Sequence, residues 1–349
     1  MTGKKNGKTS AKRRFLSALF GGRKGDRPPV GNPTSIVSLE LMEKTGIFFP
    51  QAHLEAKPMA ELAAAGHEIL GFDSVMPEYS VQQEAAALGC EIDWGSPTMM
   101  PDARTHPVQQ IQDLVIPKNL LEKPSLKVVL EALSFLRRQY GDEVAIIGKV
   151  MGPWTISYHL AGTQNFLLWV ITEPDKVRRY LEVLKEVTAL FAKAQFQAGA
   201  DVVVLADHAT GDLVSPKTYE KFLLPVHKEL VQRIAGPLIL HICGNCGDRL
   251  RMFVEAGFDA YHFEWQVDAR EAVQVVNREM SLVGNINNAT TLLRGTPEDV
   301  RQQVRYSVAA GVDIIAPECA VPLQTPLRNL RAIVEAADEA YGKKGTERN

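Results

Sequence analysis

Leu238-Ile239-Leu240-His241-Ile242-Cys243-Gly244-Asn245-Cys246 is an apolar run that ends in residues able to ligate a metal. Side chains alternate along a strand, so His241 and Cys243, two apart, face the same side, and Gly244 lets the chain turn away. A lone His-x-Cys is more often a core histidine beside a buried thiol. Here a third donor, Cys319 in Ala316-Pro317-Glu318-Cys319-Ala320-Val321-Pro322, also follows an apolar run. Histidine and cysteines brought together at strand ends can hold one zinc ion.

Working outward, the chain repeats its punctuation. Ala65-Gly66-His67-Glu68, Ala198-Gly199-Ala200-Asp201, Ala256-Gly257-Phe258-Asp259 and Ala310-Gly311-Val312-Asp313 each place a glycine after a helical pattern, then an acidic residue, then an apolar run. Ser215-Pro216, Thr296-Pro297 and Thr325-Pro326 place an N-cap hydroxyl before a proline suited to the first helical turn. Short apolar runs alternate with helical patterns, which means βα units and a parallel sheet. About eight strands are expected: near Pro29 to Val37, then 69–75, 145–150, 202–206, 238–241, 260–263, 281–284 and 314–316. Eight such units predict a closed (β/α)8 TIM barrel. A doubly wound open sheet is disfavoured, because no Gly-x-Gly-x-x-Gly follows any of these strands.

The chain has 349 residues, 45% hydrophobic and 23% charged, with a net charge of −2. That describes an ordinary globular protein, with no basic field to attract nucleic acid. No apolar run reaches the roughly 18 residues of a membrane span. Three of the 4 cysteines lie close to expected strand ends instead of being scattered as a disulfide framework, which points to a reducing cytoplasm with thiols kept for metal. Residues 1–10 read as a disordered basic tail, residues 11–341 as one barrel domain and residues 342–349 as a flexible tail. Ala11 to Phe20 reads as a short amphipathic helix. Residues 79–115, with scattered prolines and alternating apolar positions, read as a hairpin and loop inserted beside the barrel mouth.

Active sites of such barrels lie at the C-terminal ends of the strands. There stand Lys149 to Gly152, Asp207 and His208, His241 with Cys243, His262 and Glu264, Asn285, and Cys319, with His159 further along its loop. His241, Cys243 and Cys319 are expected on adjacent strands as zinc ligands, with Glu264 as the fourth. Soft sulfur with imidazole selects zinc over magnesium or calcium. Cys246 is a competitor, since Cys243-x-x-Cys246 has metal spacing of its own. His262 reads as a supporting histidine, and Asp207 and His208 as helix-capping or substrate-binding groups. Two thiolates, an imidazole and a carboxylate leave zinc with a formal charge of about −1. That set suits holding an external thiol as a nucleophile better than acidifying water, and a carboxylate such as Glu264 can leave when the thiol arrives. Alkyl transfer to a thiol follows. At the mouth, Gly152, Trp154, Met99 and Met100 are expected to offer a rim to an alkyl donor, with Asp207 and Asn285 as further donor-binding candidates.

The segments His241-Ile242-Cys243-Gly244-Asn245, Gly284-Asn285-Ile286, Ala316 to Pro322 and Thr325-Pro326-Leu327-Arg328-Asn329-Leu330 resemble those of the methylcobamide:coenzyme M methyltransferases, within the uroporphyrinogen decarboxylase superfamily of barrels. The resemblance runs from about Arg14 over nearly the whole chain. It implies a zinc held by His241, Cys243 and Cys319, with Glu264 in the resting site. It also implies a small thiol acceptor such as coenzyme M and a methylated corrinoid (methylcobamide) brought by a separate protein. Glu318 departs from the family, which often has glycine there, and puts the acceptor in question. No arginine occurs from Pro28 to Pro50, so the arginine-rich entry segment of uroporphyrinogen decarboxylase has no counterpart. The alternatives are another acceptor (a different thiol or a folate), a metal-free decarboxylase using Asp73 or Asp207, and a zinc-stabilised scaffold. No corrinoid-binding Asp-x-His-x-x-Gly occurs, so the corrinoid must arrive free or on a partner.

Overall fold

The alternating patterns fold into parallel βα units. In this computed structural model, which describes residues 9–22 and 26–346, the strands are β1 Ser74–Val75, β2 Ile92–Asp93, β3 Asp102–Ala103, β4 Ala145–Met151, β5 Val202–Ala206, β6 Leu238–His241, β7 Ala260–Phe263, β8 Ser281–Ile286 and β9 Ile314–Pro317. Seven of them pair in parallel in the order β1-β4-β5-β6-β7-β8-β9. Residues 29–31 close the ring between β9 and β1: the Ile315 N–H donates to Pro29 O at 2.9 Å, Gly31 N–H to Ile315 O at 3.0 Å, and Asp73 N–H to Val30 O at 2.7 Å. The strand expected over Pro29 to Val37 is therefore reduced to one bridge, Val30 with Ile315. Pro29 and Pro33 have no N–H to give to a ladder. A side chain makes up for this short stave. The Asp73 carboxylate accepts from Val30 N–H at 2.8 Å and pairs with Arg14 at 2.5 Å and Arg27 at 2.8 Å.

Asp73 stands just before β1, at the opposite end of the barrel from His241 and Cys243. A decarboxylating role for Asp73 is corrected accordingly: its oxygens are spent on closing the ring.

Alternation along the strands sorts the core into two clusters. Ala145, Ile147, Val202, Val204, Ile239, Ala260, Val283, Ile314 and Ala316 point inward and pack together. Their neighbours Ile146, Val203, Leu238, Leu240, Tyr261, Leu282 and Ile315 point outward, against the helices. The helix Ala11–Leu19 supplies Phe15, Ala18 and Leu19 to the inner cluster. Its Ala18 O accepts from Ser281 Oγ at 3.1 Å, at the start of β8. This amphipathic helix thus plugs the N-terminal end and leaves the other end free for polar chemistry.

Most of the expected punctuation is present. Gly199, Gly257 and Gly311 end helices at φ of 118°, 89° and 102°, a region other residues avoid. Gly66 does not; it lies inside the helix Ala56–Glu68, where a Cβ would come within 2.5 Å of the Ile36 side chain. Ser215 and Thr296 cap their helices. Thr325 does not, and Leu327 N–H finds the Glu40 carboxylate instead, at 3.2 Å.

In the segment 79–115, β2 and β3 pair as an antiparallel hairpin, preceded by the helix Gln83–Ala87. The last helix, Leu327–Thr346, includes residues 342–346 of the stretch read as a tail. Residues 1–8 and 347–349, the remainder of the two expected tails, lie outside the described residues.

Phe15 is fully buried, so Phe15→Ala should cost about 3–5 kcal/mol of stability. Because the plug is remote from His241 and Cys319, the folded variant should still bind zinc. A denaturation curve and a metal assay on the same preparation check both points.

Candidate metal centre

β6 ends at His241, and the next residues turn outward through Gly244, at φ +79°. Only glycine adopts that conformation without strain. A second close approach holds the turn: a Cβ on Gly211 would lie 1.9 Å from Asn245 O. β9 ends at Pro317, and Cys319 follows. The two loops meet over the apolar floor of the barrel. His241 Nε2 lies 3.2 Å from Cys243 Sγ and 3.4 Å from Cys319 Sγ, and the two sulfurs are 3.6 Å apart.

A tetrahedral zinc with bonds of about 2.3 Å to sulfur and about 2.0–2.1 Å to nitrogen has edges of roughly 3.8 Å (S–S) and 3.6 Å (S–N). The three donors thus fit one zinc ion with only small movement. The sequence places His241 and Cys319 on adjacent strands, and this expectation is corrected: β7 and β8 lie between their strands. The loops, not the ladder, bring the sulfurs together.

His262 ties the two sides. His241 Nδ1 faces His262 O at 3.2 Å, and His262 Nε2 faces Pro317 O at 2.8 Å. Each carbonyl can only accept, so the proton sits on His241 Nδ1 and on His262 Nε2. That directs His241 Nε2 toward the sulfurs, and once it gives up the proton it shares with them it presents the lone pair a metal requires. Burial holds His262 neutral, with a pKa of about 3.

The sulfurs share one negative charge. A hydrogen bond from Cys243, with His241 nearby, holds the Cys319 thiol well below its ordinary range. The same bond, with burial, pushes Cys243 well above it. Burial opposes a charge on His241, but the Cys319 thiolate overcomes this and raises it. Glu264 is half-buried, and burial raises its pKa. Its carboxylate accepts from Gly244 N–H and lies against the Cys243 thiol, at the edge of the trio.

Cys246 is directed elsewhere. It is buried, its thiol donates toward Cys243 O at 3.6 Å, and burial raises it to about 11. Glu318 bridges two loops, accepting from Trp265 N–H at 3.0 Å and Asn288 N–H at 2.7 Å. It braces the backbone beside both Glu264 and Cys319. His208 is half-buried on the neighbouring strand end, near enough for His241 and Cys319 to act on its charge.

The residues expected to meet the methyl donor are placed differently. Trp154 is fully buried, edge-on to Phe166 at 4.9 Å, and donates to the Tyr158 hydroxyl at 2.6 Å. It packs a helix rather than forming a rim. Asp207 is buried and accepts from Thr155 N–H at 2.7 Å, Thr155 Oγ1 at 2.9 Å and His227 Nε2 at 3.1 Å. Gly152 is needed because a Cβ there would lie 2.2 Å from the Asp207 carboxyl carbon. Asn285 is spent on Val267 O and Ser307 Oγ, on the wall of a cavity of about 450 Å³ behind β8. Met99 and Met100, on the hairpin, are exposed. Sequence reading gave no role to Glu78, Glu84 and His53, which are buried and carry ring or carboxylate atoms that find no hydrogen-bond partner among the described residues. They sit in irregular loops and short helices with no periodic signal.

Residues 10–340 match the family described as uroporphyrinogen decarboxylase (URO-D). The chain is similar to a methylated-thiol–coenzyme M methyltransferase of Methanosarcina mazei, at 36% identity over 94% of this chain and 89% of the relative. It is similar to a methylcobamide:CoM methyltransferase of Methanosarcina barkeri, at 33% identity over 95% of this chain and 98% of the relative. A solved methyltransferase structure from Methanosarcina mazei superposes with a TM-score of 0.92 at 32% identity, covering 96% of this chain and all of the other.

Metal binding should release protons. At neutral pH without metal, Cys243 keeps its proton and His241 shares one, and both must be lost to bind zinc. Calorimetry in buffers of different ionisation heat should show about one to two protons released per zinc, with affinity rising about tenfold per pH unit for each proton released. Cys319→Ala should lose most of the metal, whereas buffer-independent heats would contradict the ligand set.

Proposed function

We propose that this chain, which belongs to the uroporphyrinogen decarboxylase (URO-D) family, is a zinc-dependent methyltransferase that moves a methyl group from a methylated corrinoid to a thiol. It is an enzyme of the methylcobamide:CoM methyltransferase branch. The observation that carries the reading is the trio His241, Cys243 and Cys319, whose donor atoms all lie within 4.8 Å of one another. Coenzyme M is the acceptor that the relatives' names suggest, and a separate corrinoid protein is the suggested donor. Among the described residues no helix is long and apolar enough to cross a membrane.

The residues of the chain divide the work. His241, Cys243 and Cys319 would hold zinc, and Glu264 would complete the resting site. Bound zinc would supply the positive charge that keeps an incoming thiol deprotonated and nucleophilic at neutral pH. Glu264, raised by burial, would give way to the incoming thiol and take its proton on a carboxylate oxygen. His262 fixes the imidazole of His241 so that it does not turn away as the ligands change. The thiol sulfur would then take the methyl group, and the electron pair of the broken methyl–donor bond would stay with the donor. The donor approaches from the mouth, where Trp265, next to Glu264, is exposed. The apolar floor below the trio closes the other side.

Zinc-loaded protein mixed with methylcobalamin and a thiol should convert the methylated corrinoid, with a change in its visible spectrum, and yield the methyl thioether. Cys319→Ala should lower the rate by about a hundredfold or more, since the metal's charge stabilisation is worth several kcal/mol. Glu264→Gln should retain zinc and turn over slowly. Methyl transfer to a folate but to no thiol would replace this reading with the folate one.

A further inference from the structure

The peptide that joins Glu264 to Trp265 is held at both ends. Its carbonyl, Glu264 O, accepts from Val267 N–H at 3.1 Å, and its N–H, on Trp265, donates to Glu318 Oε2 at 3.0 Å. This peptide starts at the Cα that carries the Glu264 side chain. Fixing its plane fixes the direction in which that side chain sets out. Glu318 belongs to a different loop, after β9 and one residue before Cys319. Its other oxygen, Oε1, accepts from Asn288 N–H at 2.7 Å. Its own N–H donates to Ile286 O at 3.0 Å, and Asn288 Nδ2 donates to Ala320 O at 2.9 Å. One buried carboxylate thus ties together the loops that follow β7, β8 and β9.

A buried carboxylate is costly unless its oxygens are hydrogen-bonded. Burial raises Glu318 to about 7, against the pull of the N–H bonds from Asn288 and Trp265. An apolar side chain would fill the space without that cost, but it would leave two backbone N–H groups without acceptors. An amide has a single acceptor oxygen and would serve only one of them. Glu264, meanwhile, lies against the Cys243 thiol and accepts from Gly244 N–H, at the edge of the trio. A ligand that leaves a metal and returns to it binds more strongly when its backbone is already set, because less freedom is lost on binding.

We propose that Glu318 is a positioning residue: by tying the Glu264–Trp265 peptide to the Cys319 loop, it holds Glu264 in register with the metal trio and sets how strongly that carboxylate competes with the thiol acceptor. This rests on the reading of Glu264 as the displaceable fourth ligand, and it names the group that controls the exchange. Loss of Glu318 frees the peptide, weakens Glu264 as a ligand and lets the thiol bind more tightly.

Calorimetric titration of 2-mercaptoethanesulfonate into the zinc-loaded full-length protein reads this competition without methyl transfer. The buffer is mildly alkaline, so that Glu318 is ionised. Wild type, Glu318→Ala, Glu264→Ala and the double variant form a cycle, each with its zinc content measured. Glu318→Ala should bind the thiol about tenfold tighter than wild type, the scale of one charge-assisted hydrogen bond. In the Glu264→Ala background the same substitution should change the affinity by less than about twofold, because the ligand it positions is gone. Glu318→Gln, which keeps one of the two bonds, should fall between wild type and Glu318→Ala, and it takes the alanine's place in the cycle if that variant does not fold. An effect of equal size in both backgrounds is what a purely structural brace would give. It overturns the proposal and leaves Glu264 standing as the displaceable ligand, and so does wild-type affinity in the Glu318 variants. If Glu264→Ala itself binds the thiol as wild type does, the displaceable-ligand reading fails and the proposal falls with it.

Discussion

Two sulfurs 3.6 Å apart, with an imidazole nitrogen 3.2 and 3.4 Å from them, impose the constraint on which the structure turns. Two thiolates at that distance in a buried site repel one another, which is why a single proton is shared between Cys243 and Cys319. A dication removes the conflict, and the same conflict sets the chemistry. A metal already neutralised by two thiolates acidifies water poorly but holds a third sulfur as an electron-rich nucleophile. In the proposed mechanism the carboxylate of Glu264, outside the trio and raised by burial, is the ligand that gives way.

Holding such a cluster open requires rigidity elsewhere. The loops that bear Cys243 and Cys319 leave strands separated by β7 and β8, so no ladder fixes their distance. His262 does so, with its carbonyl toward the imidazole of His241 and its ring nitrogen toward Pro317 O. Glu318 adds a brace from the Cys319 loop to the backbone at Trp265 and Asn288. The far end of the barrel supplies the foundation. Phe15 plugs the floor, and Asp73 with Arg14 and Arg27 secures the short stave that completes the ring. Stability and chemistry thus occupy opposite ends of the barrel, the division expected of this architecture.

The sequence made the repeated βα units and the metal residues legible, for a physical reason. A helix that ends on glycine in a left-handed conformation, as at Gly199, Gly257 and Gly311, leaves a mark in the chain, and so does an apolar strand that ends in histidine or cysteine. Features set by tertiary contact left none. Gly66 reads as a helix stop yet answers to the Ile36 side chain. Residues 29–31 read as the start of a full strand, but their pairing depends on Asp73, more than forty positions away in the chain. Trp154 reads as a rim residue because aromatic residues in loops often are; Phe166 and Tyr158 bury it. Lys149 reaches Ser80 O, and Glu84 reaches Met151 N–H, only when β4 and the segment after β1 are folded side by side. Spacing shows that His241 and Cys243 share a face, but not that Cys319 arrives from three strands away.

The central claim is that this trio, with a displaceable carboxylate, presents a thiol to a methyl donor. X-ray absorption at the zinc edge tests it most directly, on the loaded protein before and after saturation with a thiol it binds. The account predicts two sulfurs, one nitrogen and one oxygen in the resting site, becoming three sulfurs and one nitrogen when the thiol is present. A coordination shell unchanged by saturating thiol, or a resting site with a single sulfur, would contradict it.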